Sequence, residues 1–275
     1  MTEYKFDKLE ECREGEVIYY KSKKIAVPHG FSTRHGGVST PPHLASMNLG
    51  RNLGDDPEAV RENYARICRA TGTPSSGLVY TNQIHSAIVE YVTEGDRGKT
   101  FECDALVTDR PGVTLSVRTA DCVPILFWAP LDPADSGEPM SVGVVGACHA
   151  GWRGTVARIQ QNTLGRMAAL GAEVKNIRCA VGAAINFCCY AVGEDFRNAV
   201  CDALGNEMTN EFVRMHEGQL HADLIAMNCR LLLEAGVEPQ NISVSQDCTC
   251  CQPERFFSHR ATQGKRGVMA ALISL

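Results

Sequence analysis

The chain of 275 residues is 44% hydrophobic and 21% charged and has a formal net charge of -5, which is an ordinary globular composition. No dense run of Lys and Arg occurs, which argues against a nucleic-acid partner, since such a partner requires a concentrated positive face. The N-terminal segment lacks the apolar core of a signal peptide, and no stretch is apolar enough to span a membrane, so we expect a cytoplasmic protein with no membrane partner.

The predicted elements are capped helices and short runs of β-branched and aromatic residues. The first helix is predicted over Pro57–Thr71, because Asp56 can cap its start and Gly72 can end it. Strands are predicted next at residues 78–80, 87–92, 105–107, 113–117, 124–128 and 142–147. They are followed by a helix at 155–170, a strand at 177–181, helices at 194–204 and 222–235, and strands at Ile242–Val244 and 268–273.

The order of these elements predicts the fold class. Strands come mostly in consecutive pairs before each helix, which favours an α/β (α+β) sandwich with mixed sheets over an alternating doubly wound fold. The segment 130–139 is rich in proline and acidic residues, and it is predicted to be a solvated loop rather than a long linker. We therefore predict a single domain that spans residues 1–275.

Three segments place a candidate metal ligand at the end of an apolar run, and these ligands are His85, Cys122 and His149. Imidazole and thiolate are ligands that zinc prefers, and three protein ligands with an open fourth position are typical of catalytic zinc sites. Water bound at such a position ionises near neutral pH. The three residues are far apart in sequence, so spacing leaves open that His85 is a hydrogen-bonded core histidine and Cys122 a small buried hydrophobe.

Arginines beside glycine-rich turns are candidate phosphate ligands. The sequence after His149 reads AGWRGT and joins a buried strand to a helix, where Arg153 and the helix N-terminus favour an anion. Arg34 lies in the turn-rich segment FSTRHGG, and Arg260 is a weaker candidate of the same kind. The alternative for all three is an arginine on the surface beside a tight turn.

These segments resemble those of one known family. The matching strings run from about Phe31 to Arg260 and include NQIH, DALVT, TADCVPIL, CHAGWRGT, CCYAVG and FFSHR. The chain resembles the laccase-domain or multicopper polyphenol oxidoreductase family, whose members are also described as zinc-dependent purine nucleoside phosphorylases and as peptidoglycan editing factor-like. Three positions depart from the family pattern and bear on substrate preference and on the role of a C-terminal arginine: Gly182-Ala183, His259, and Lys265-Arg266-Gly267.

The resemblance implies a fold, a metal and an activity. The implied fold is a four-layer α-β-β-α sandwich with mixed sheets, and the implied cofactor is Zn²⁺ on His85, Cys122 and His149. The implied activity is phosphorolysis of adenosine, inosine and S-methyl-5'-thioadenosine, with adenosine deamination as a side activity. The implied partners are therefore a purine nucleoside and phosphate, while the oligomeric state is left open.

The predicted reaction takes place at the ribose C1′, where phosphate replaces the base. Positioning and electrostatics can supply much of the acceleration. For deamination, hydroxide formed on zinc would attack C6 of adenine, and a carboxylate normally shuttles protons in such enzymes. Asp121 is the nearest carboxylate in sequence, so the predicted catalytic residues are Cys122, His149 and Asp121. Asp121 can instead be a structural residue, because neighbours on a strand face opposite ways.

Several other functions are compatible with the same residues. Cys122 and His149 can form the nucleophile and base of a cysteine hydrolase. Action on peptidoglycan precursors in the cytoplasm is a family-level alternative. A copper polyphenol oxidase is disfavoured, because the chain has eight histidines and no His-x-His pair. A non-enzymatic protein with structural zinc is a further alternative, and among the 13 cysteines its candidate ligands are Cys188, Cys189, Cys248, Cys250 and Cys251. The segments FCC and CTCC show no standard zinc-ribbon spacing, so we interpret these residues as free thiols.

Overall fold

Two seven-stranded mixed sheets form the centre of the protein in the computed structural model, which describes residues 5–131 and 143–275. Sheet 1 contains, in spatial order, β1 (Asp7–Lys8), β15 (Ile242–Val244), β12 (Arg178–Val181), β10 (Val123–Ala129), β11 (Val144–Ala150), β8 (Ala105–Thr108) and β6 (Val89–Tyr91). Sheet 2 contains β2 (Glu10–Glu14), β3 (Val17–Lys21), β4 (His29–Ser32), β16 (Met269–Ser274), β9 (Thr114–Thr119), β5 (Leu78–Thr81) and β7 (Thr100–Phe101). A separate hairpin pairs β13 (Val213–His216) with β14 (Gln219–Ala222).

Six α-helices occur in the described part of the chain. They are α1 (Pro57–Thr71), α2 (Trp152–Val156), α3 (Ile159–Ala168), α4 (Glu194–Phe212), α5 (Leu224–Glu234) and α6 (His259–Thr262). Short 3-10 turns lie at Ser75–Gly77, Glu94–Asp96, Val174–Asn176 and Pro239–Asn241. No helix among the described residues is long and apolar enough to cross a membrane.

The two sheets face each other, and helices cover their outer faces. The space between the sheets is filled by apolar side chains from both, including Leu106 and Ala147 from sheet 1 and Val117 and Ala271 from sheet 2. Helix α1 packs its apolar stripe on sheet 2, and α3, α4 and α5 pack on sheet 1. This arrangement of helix, sheet, sheet and helix confirms the predicted four-layer α/β sandwich with mixed sheets.

Local capping explains why the first helix matches its prediction. The side chain of Asp56 accepts a hydrogen bond from the backbone amide of Glu58, and Pro57 takes the first helical position. The helix ends at Gly72, whose φ of 77° is the left-handed conformation that favours glycine. Helix α5 begins later than predicted, at Leu224, because Asp223 caps it and Ala222 completes strand β14.

Other predicted boundaries were wrong. The predicted helix 155–170 is two helices, because Arg158 between them adopts a left-handed φ of 61°. The predicted helix 194–204 continues to Phe212 after a non-helical residue at Gly205, so Gly205 interrupts the helix rather than ending it. The short strands β1 to β4, β7 and the hairpin were not predicted. Most of the predicted loop 130–139, and the predicted start of a strand at position 142, lie outside the described residues.

Candidate metal centre and active site

The register of sheet 1 brings the predicted ligands to one end of the sheet. Cys148 of β11 lies opposite Ala105 of β8, so the next residue along β11, His149, meets Asp104. Ala150 lies opposite Val123 of β10, so Cys122 arrives at the same end, where β10 begins and β11 ends. His85 lies in the loop that precedes β6, and β6 pairs with β8 in parallel, so this loop reaches the same end of the sheet.

His85, Cys122 and His149 form one group that can hold a metal ion. Their ligand atoms all lie within 4.8 Å of one another. Zinc bonds of about 2.0–2.3 Å in a tetrahedral site place two ligand atoms about 3.3–3.8 Å apart, and this separation lies within that limit. The group contains no fourth His, Cys or carboxylate from the described residues, which leaves a coordination position for water or substrate.

Asp104, which sequence reasoning missed, organises this group. One carboxylate oxygen accepts from His149 Nδ1 at 2.9 Å and from the backbone amide of His85 at 3.1 Å. The other accepts from the amides of Ile84 and Ser86 and from the Ser86 hydroxyl. These bonds hold His85 in a left-handed turn with φ 58°, and because they occupy His149 Nδ1, Nε2 is the ring nitrogen that can bind a metal. The available signal was a charged residue at the start of the apolar strand in DALVT.

The charge of Asp104 is secured by its contacts. Burial acts to raise the pKa of this carboxyl, but the hydrogen bonds from His149 and Ser86 lower it to about 2. Asp104 has no exposed surface, so it carries a buried negative charge beside the candidate metal ligands. A buried carboxylate behind a ligating histidine orients the ring and raises its basicity.

Cys122 and His149 form a coupled acid–base pair. Burial acts to raise the pKa of Cys122, but the charge and hydrogen bond of His149, with His85, lower it to about 6. Burial acts to lower the pKa of His149, but the Cys122 thiolate and Asp104 raise it to about 9. Without a metal the pair is therefore a thiolate and an imidazolium near neutral pH, and loss of one proton from His149 yields a complete ligand set.

Because Gly151 has no side chain, the side chains of His85, Cys122 and His149 can approach one another beside it. A Cβ atom added there would lie 2.9 Å from His85 Cδ2, 3.3 Å from Cys122 Sγ and 3.4 Å from His149 Cε1. The backbone of Gly151 has a φ of -64°, which every residue tolerates. Glycine is required here by the close approach of side chains and not by backbone conformation.

We expect Gly151→Ala to weaken zinc binding by about tenfold or more, because the added methyl group pushes His85 out of the group. The measurement is competition for zinc with a chelating dye. Gly165→Ala is the matched control, since no atom lies within 4 Å of its Cβ position in helix α3. The control should keep zinc and gain about 0.5–1 kcal/mol of stability. Wild-type zinc affinity in Gly151→Ala would contradict the described position of His85.

Asp121 lies beside the metal group, but both of its side-chain oxygens are occupied. Oδ1 accepts from the Thr249 hydroxyl at 2.6 Å, and Oδ2 accepts from the backbone amide of Arg260 at 2.7 Å. These bonds tie the loop before β10 to two later segments of the chain. The predicted catalytic role of Asp121 stays a prediction, and its contacts describe a positioning residue.

The three predicted phosphate ligands differ in how their guanidinium groups are used. Arg34 donates to the carbonyl oxygens of Ala45 and Pro253 and lies over the Phe257 ring. Arg260 donates to the carbonyl oxygens of two residues of another loop, Cys189 and Ala191, each at 3.0 Å. Both therefore bridge loops. Arg153 is exposed and lies 4.3 Å over the Trp152 ring, and its guanidinium makes no hydrogen bond or ion pair with the described residues.

Arg266 is a further cation at the site. It lies in Lys265-Arg266-Gly267, one of the positions where the chain departs from the family pattern. It lines a cavity of about 400 Å³ together with Arg34, Pro42, His43, Pro253, Phe256, Phe257, Ser258, Thr262 and Lys265. Its Nε atom is buried and has no hydrogen-bond partner in the described part of the chain. Burial lowers the pKa of Arg266, while the charges of Asp121 and Cys122 act to raise it. Arg266 therefore connects this cavity electrostatically with the metal group.

Tyr190 closes the same region from another loop. Its ring packs edge-on against Phe196, and burial raises the pKa of its hydroxyl. The charges of Cys122, Arg260 and Arg153 all act on this hydroxyl, which places Tyr190 among the residues of the site. The signal in the sequence was its position in CCYAVG, but a tyrosine in a loop is not distinctive without the tertiary contacts.

Known proteins similar to this chain show the family to which it belongs. Residues 28–275 match the family described as multi-copper polyphenol oxidoreductase laccase. The chain is 40% identical to a protein of Deinococcus radiodurans named purine nucleoside phosphorylase, over 93% of this chain and 92% of the relative. It is 34% identical to a protein from an unknown prokaryotic organism named adenosine deaminase RL5, over 87% of this chain and 90% of the relative.

A solved structure supports the same relationship. The crystal structure of YlmD from Geobacillus stearothermophilus superimposes with a TM-score of 0.82 at 32% identity, covering 96% of this chain and 98% of that chain. These comparisons confirm the resemblance inferred from the sequence strings and the predicted fold. The chain belongs to the multi-copper polyphenol oxidoreductase laccase family.

Proposed function

We propose that the protein is a zinc-dependent purine nucleoside phosphorylase that acts on adenosine, inosine and S-methyl-5'-thioadenosine, with adenosine deamination as a side activity. The observation that carries the proposal is the convergence of His85, Cys122 and His149 with an open coordination position. Relatives named purine nucleoside phosphorylase and adenosine deaminase support a reaction on purine nucleosides. Which nucleoside is preferred, and zinc as the metal, are part of the proposal.

In phosphorolysis an oxygen of phosphate forms a bond to the ribose C1′ while the bond from C1′ to the purine nitrogen breaks. The leaving base takes up a proton. The chain must hold the phosphate anion against the sugar, which is a task for fixed cations. A zinc ion held by His85, Cys122 and His149 would supply a Lewis-acid position and, for deamination, a water of lowered pKa.

Arg153 and Arg266 are the residues that we assign to phosphate. Neither guanidinium makes a hydrogen bond or ion pair among the described residues, so each is available to an anion. Arg266 combines a buried Nε with proximity to Cys122, and Arg153 follows the metal-binding strand directly. Arg34 and Arg260 remain predicted phosphate ligands, but their guanidinium groups already bind backbone carbonyls, so we assign them to holding the loops.

We expect Arg266→Gln to raise the KM for phosphate by about 10- to 100-fold, because a charge-assisted hydrogen bond contributes about 1.5–3 kcal/mol. The KM for adenosine should change much less. Initial rates at varied phosphate and fixed nucleoside measure the effect, and Arg69→Gln, at the exposed end of α1, is the control. An unchanged KM for phosphate, with a folded variant, would exclude Arg266 from phosphate binding.

A cysteine hydrolase is the second candidate, because Cys122 and His149 already form a thiolate–imidazolium pair. Iodoacetamide should alkylate Cys122 in metal-free protein. Since the lowered pKa is about 6, the thiolate is present above that value, and the rate falls as pH drops through it. Mass spectrometry of the Cys122 peptide follows the reaction, and zinc should block it. Activity that survives chelation of zinc but is lost on alkylation would favour the hydrolase.

Copper is the other metal to consider, because two histidines and one cysteine also form blue-copper sites. A multicopper oxidase needs further histidine-bound copper ions. Among the described residues, the candidate metal groups contain only His85 and His149 as histidines, which favours zinc. Metal analysis of protein expressed without added metal tests this choice. One copper per chain, with intense visible absorption from a copper–thiolate bond, would overturn it.

The peptidoglycan-precursor alternative remains a prediction that no described contact addresses.

The experiment that tests the activity incubates zinc-loaded protein with adenosine, inosine and S-methyl-5'-thioadenosine, each with and without phosphate. Product masses separate ribose 1-phosphates, free bases and the deaminated nucleoside. We expect free base and sugar 1-phosphate only with phosphate, and a smaller amount of inosine from adenosine in either case. Inosine as the sole product would reduce the proposal to a deaminase. No product from any nucleoside would contradict it.

A further inference from the structure

A second group of cysteines gathers outside the candidate active site. We call Cys188, Cys189, Cys248 and Cys251 the tetracysteine cluster, because their sulfur atoms all lie within 4.8 Å of one another. Cys251 Sγ is 3.5 Å from Cys188 Sγ and 3.3 Å from Cys189 Sγ. All four side chains are free thiols. The sequence favours free thiols over a structural zinc site for these residues, and their convergence supports the structural site instead.

Two turns of the chain build the cluster. In the first, the backbone amides of Cys189 and Tyr190 donate to the carbonyl oxygen of Asn186. In the second, the amide of Gln252 donates to the carbonyl oxygen of Cys248. Cys248 and Cys251 therefore have the Cys-x-x-Cys spacing of many metal-binding turns, which the reading of CTCC as a non-standard pattern overlooked. An isolated parallel bridge between Ala184 and Cys248 holds the two turns together.

The spacing of the sulfurs suits a tetrahedral ion. Zinc–sulfur bonds of about 2.3 Å place the four sulfurs of a tetrathiolate site about 3.8 Å apart. The two sulfur–sulfur distances of 3.3 and 3.5 Å are close to this value, and no pair in the cluster exceeds 4.8 Å. Tetrahedral sites with four sulfur ligands are typical of zinc or of iron. The described residues offer no other group of this ligand type.

Hydrogen bonds and charge around the cluster suit thiolates. The amide of Asn186 donates to Cys248 Sγ at 3.4 Å, and the amides of Cys250 and Cys251 also hydrogen-bond to this sulfur. Arg260 donates to the carbonyl oxygen of Cys189, so a guanidinium lies beside the cluster. Amide donors and a nearby cation stabilise the negative charge that four thiolates carry around a divalent ion.

We propose that the tetracysteine cluster binds a second zinc ion, distinct from the candidate catalytic ion, as a closed structural site. Four protein ligands leave no position for substrate, which is typical of structural zinc. The ion would join the turn that carries Tyr190 to the turn that carries Thr249. Because Thr249 donates to Asp121, and Arg260 donates to the carbonyl oxygens of Cys189 and Ala191, the second ion would hold one wall of the active site in place.

The test counts metal in protein purified under reducing conditions with zinc. We expect two zinc ions per chain in the wild type, one in Cys248→Ser, one in Cys251→Ser and one in His85→Ala. Cys12→Ser, which changes a cysteine on strand β2 outside both groups, should keep two. One zinc ion in the wild type, with all cluster thiols free to alkylation, would overturn the proposal. A mass loss of two hydrogens from a disulfide within the cluster would also overturn it.

A second measurement needs no substitution of a cysteine, so it holds even if the cysteine variants fail to fold. Cobalt(II) bound by four thiolates absorbs visible light more strongly than cobalt(II) bound by one thiolate and two histidines. We expect His85→Ala to retain the intense tetrathiolate spectrum and the wild type to show both spectra. Only the weaker spectrum in the wild type would contradict the second site. Since His85→Ala separates the two ions, failure of this proposal is distinguishable from failure of the proposed function.

Discussion

Cys122→Ser, His85→Ala and His149→Ala should each lose one equivalent of zinc and reduce phosphorolysis of adenosine by about 1000-fold or more. Each substitution removes one of only three protein ligands in the group. A bound metal contributes several kcal/mol of charge stabilisation in the transition state, and about 4 kcal/mol corresponds to this factor. Metal analysis and initial rates measure the two effects in the same preparations.

The matched control for these ligand substitutions is Cys12→Ser, which removes a thiol without touching the group. It should keep both zinc and rate. Far-ultraviolet circular dichroism of each variant separates loss of metal from loss of fold. A ligand variant that retains wild-type zinc and wild-type rate would show that its side chain is not a ligand.

Asp104→Asn is expected to have the next largest effect, on both stability and metal affinity. An amide has one acceptor oxygen, whereas the carboxylate of Asp104 accepts from Ile84, His85, Ser86 and His149. Breaking a buried charge-assisted network costs about 3–5 kcal/mol, and removing a carboxylate behind a ligating histidine weakens metal binding by about 10- to 100-fold. Urea unfolding of metal-free protein and zinc competition measure the two quantities.

Asp109→Asn at the opposite end of strand β8 is the control for Asp104→Asn. Its carboxylate accepts from the Tyr91 hydroxyl and pairs with Arg110 near the surface, so its loss should cost about 1 kcal/mol or less. A zinc affinity of Asp104→Asn equal to that of Asp109→Asn would contradict the assigned role of Asp104.

The lowered pKa of Asp104 also predicts how stability depends on pH. An unfolded aspartate has a pKa of about 3.9, while that of Asp104 in the fold is about 2. Its stabilising contribution is therefore complete above about pH 4 and is lost as pH falls toward 2. Asp104→Asn should lack this part of the acid dependence, which unfolding curves at several acidic pH values would reveal.

Local signals predicted the parts of the fold that depend on local chemistry. Helix α1 has its bounds where Asp56 and Gly72 predict them, because capping is decided within a few residues. The break at Arg158 was not visible, because a left-handed arginine is held by tertiary packing rather than by propensity. The strands of two residues, such as β1, are defined by their partners and have no periodicity of their own.

The site was predictable where a ligand ends an apolar strand. His85, Cys122 and His149 have distinctive side chains and occupy such positions, and the sheet register brings them together. Asp104 occupies a similar position but was missed, because a carboxylate at a strand start is common. Arg34 and Arg266 have different roles because carbonyl oxygens of distant loops accept hydrogen bonds from the Arg34 guanidinium and not from Arg266 Nε. Sequence spacing does not encode such contacts.

The most direct test of the account follows ribose 1-phosphate by ³¹P NMR in metal-free protein given adenosine and phosphate, before and after zinc is added. The account predicts no sugar phosphate before zinc and steady formation afterwards, with none when phosphate is omitted. Equal formation of ribose 1-phosphate before and after zinc would contradict it.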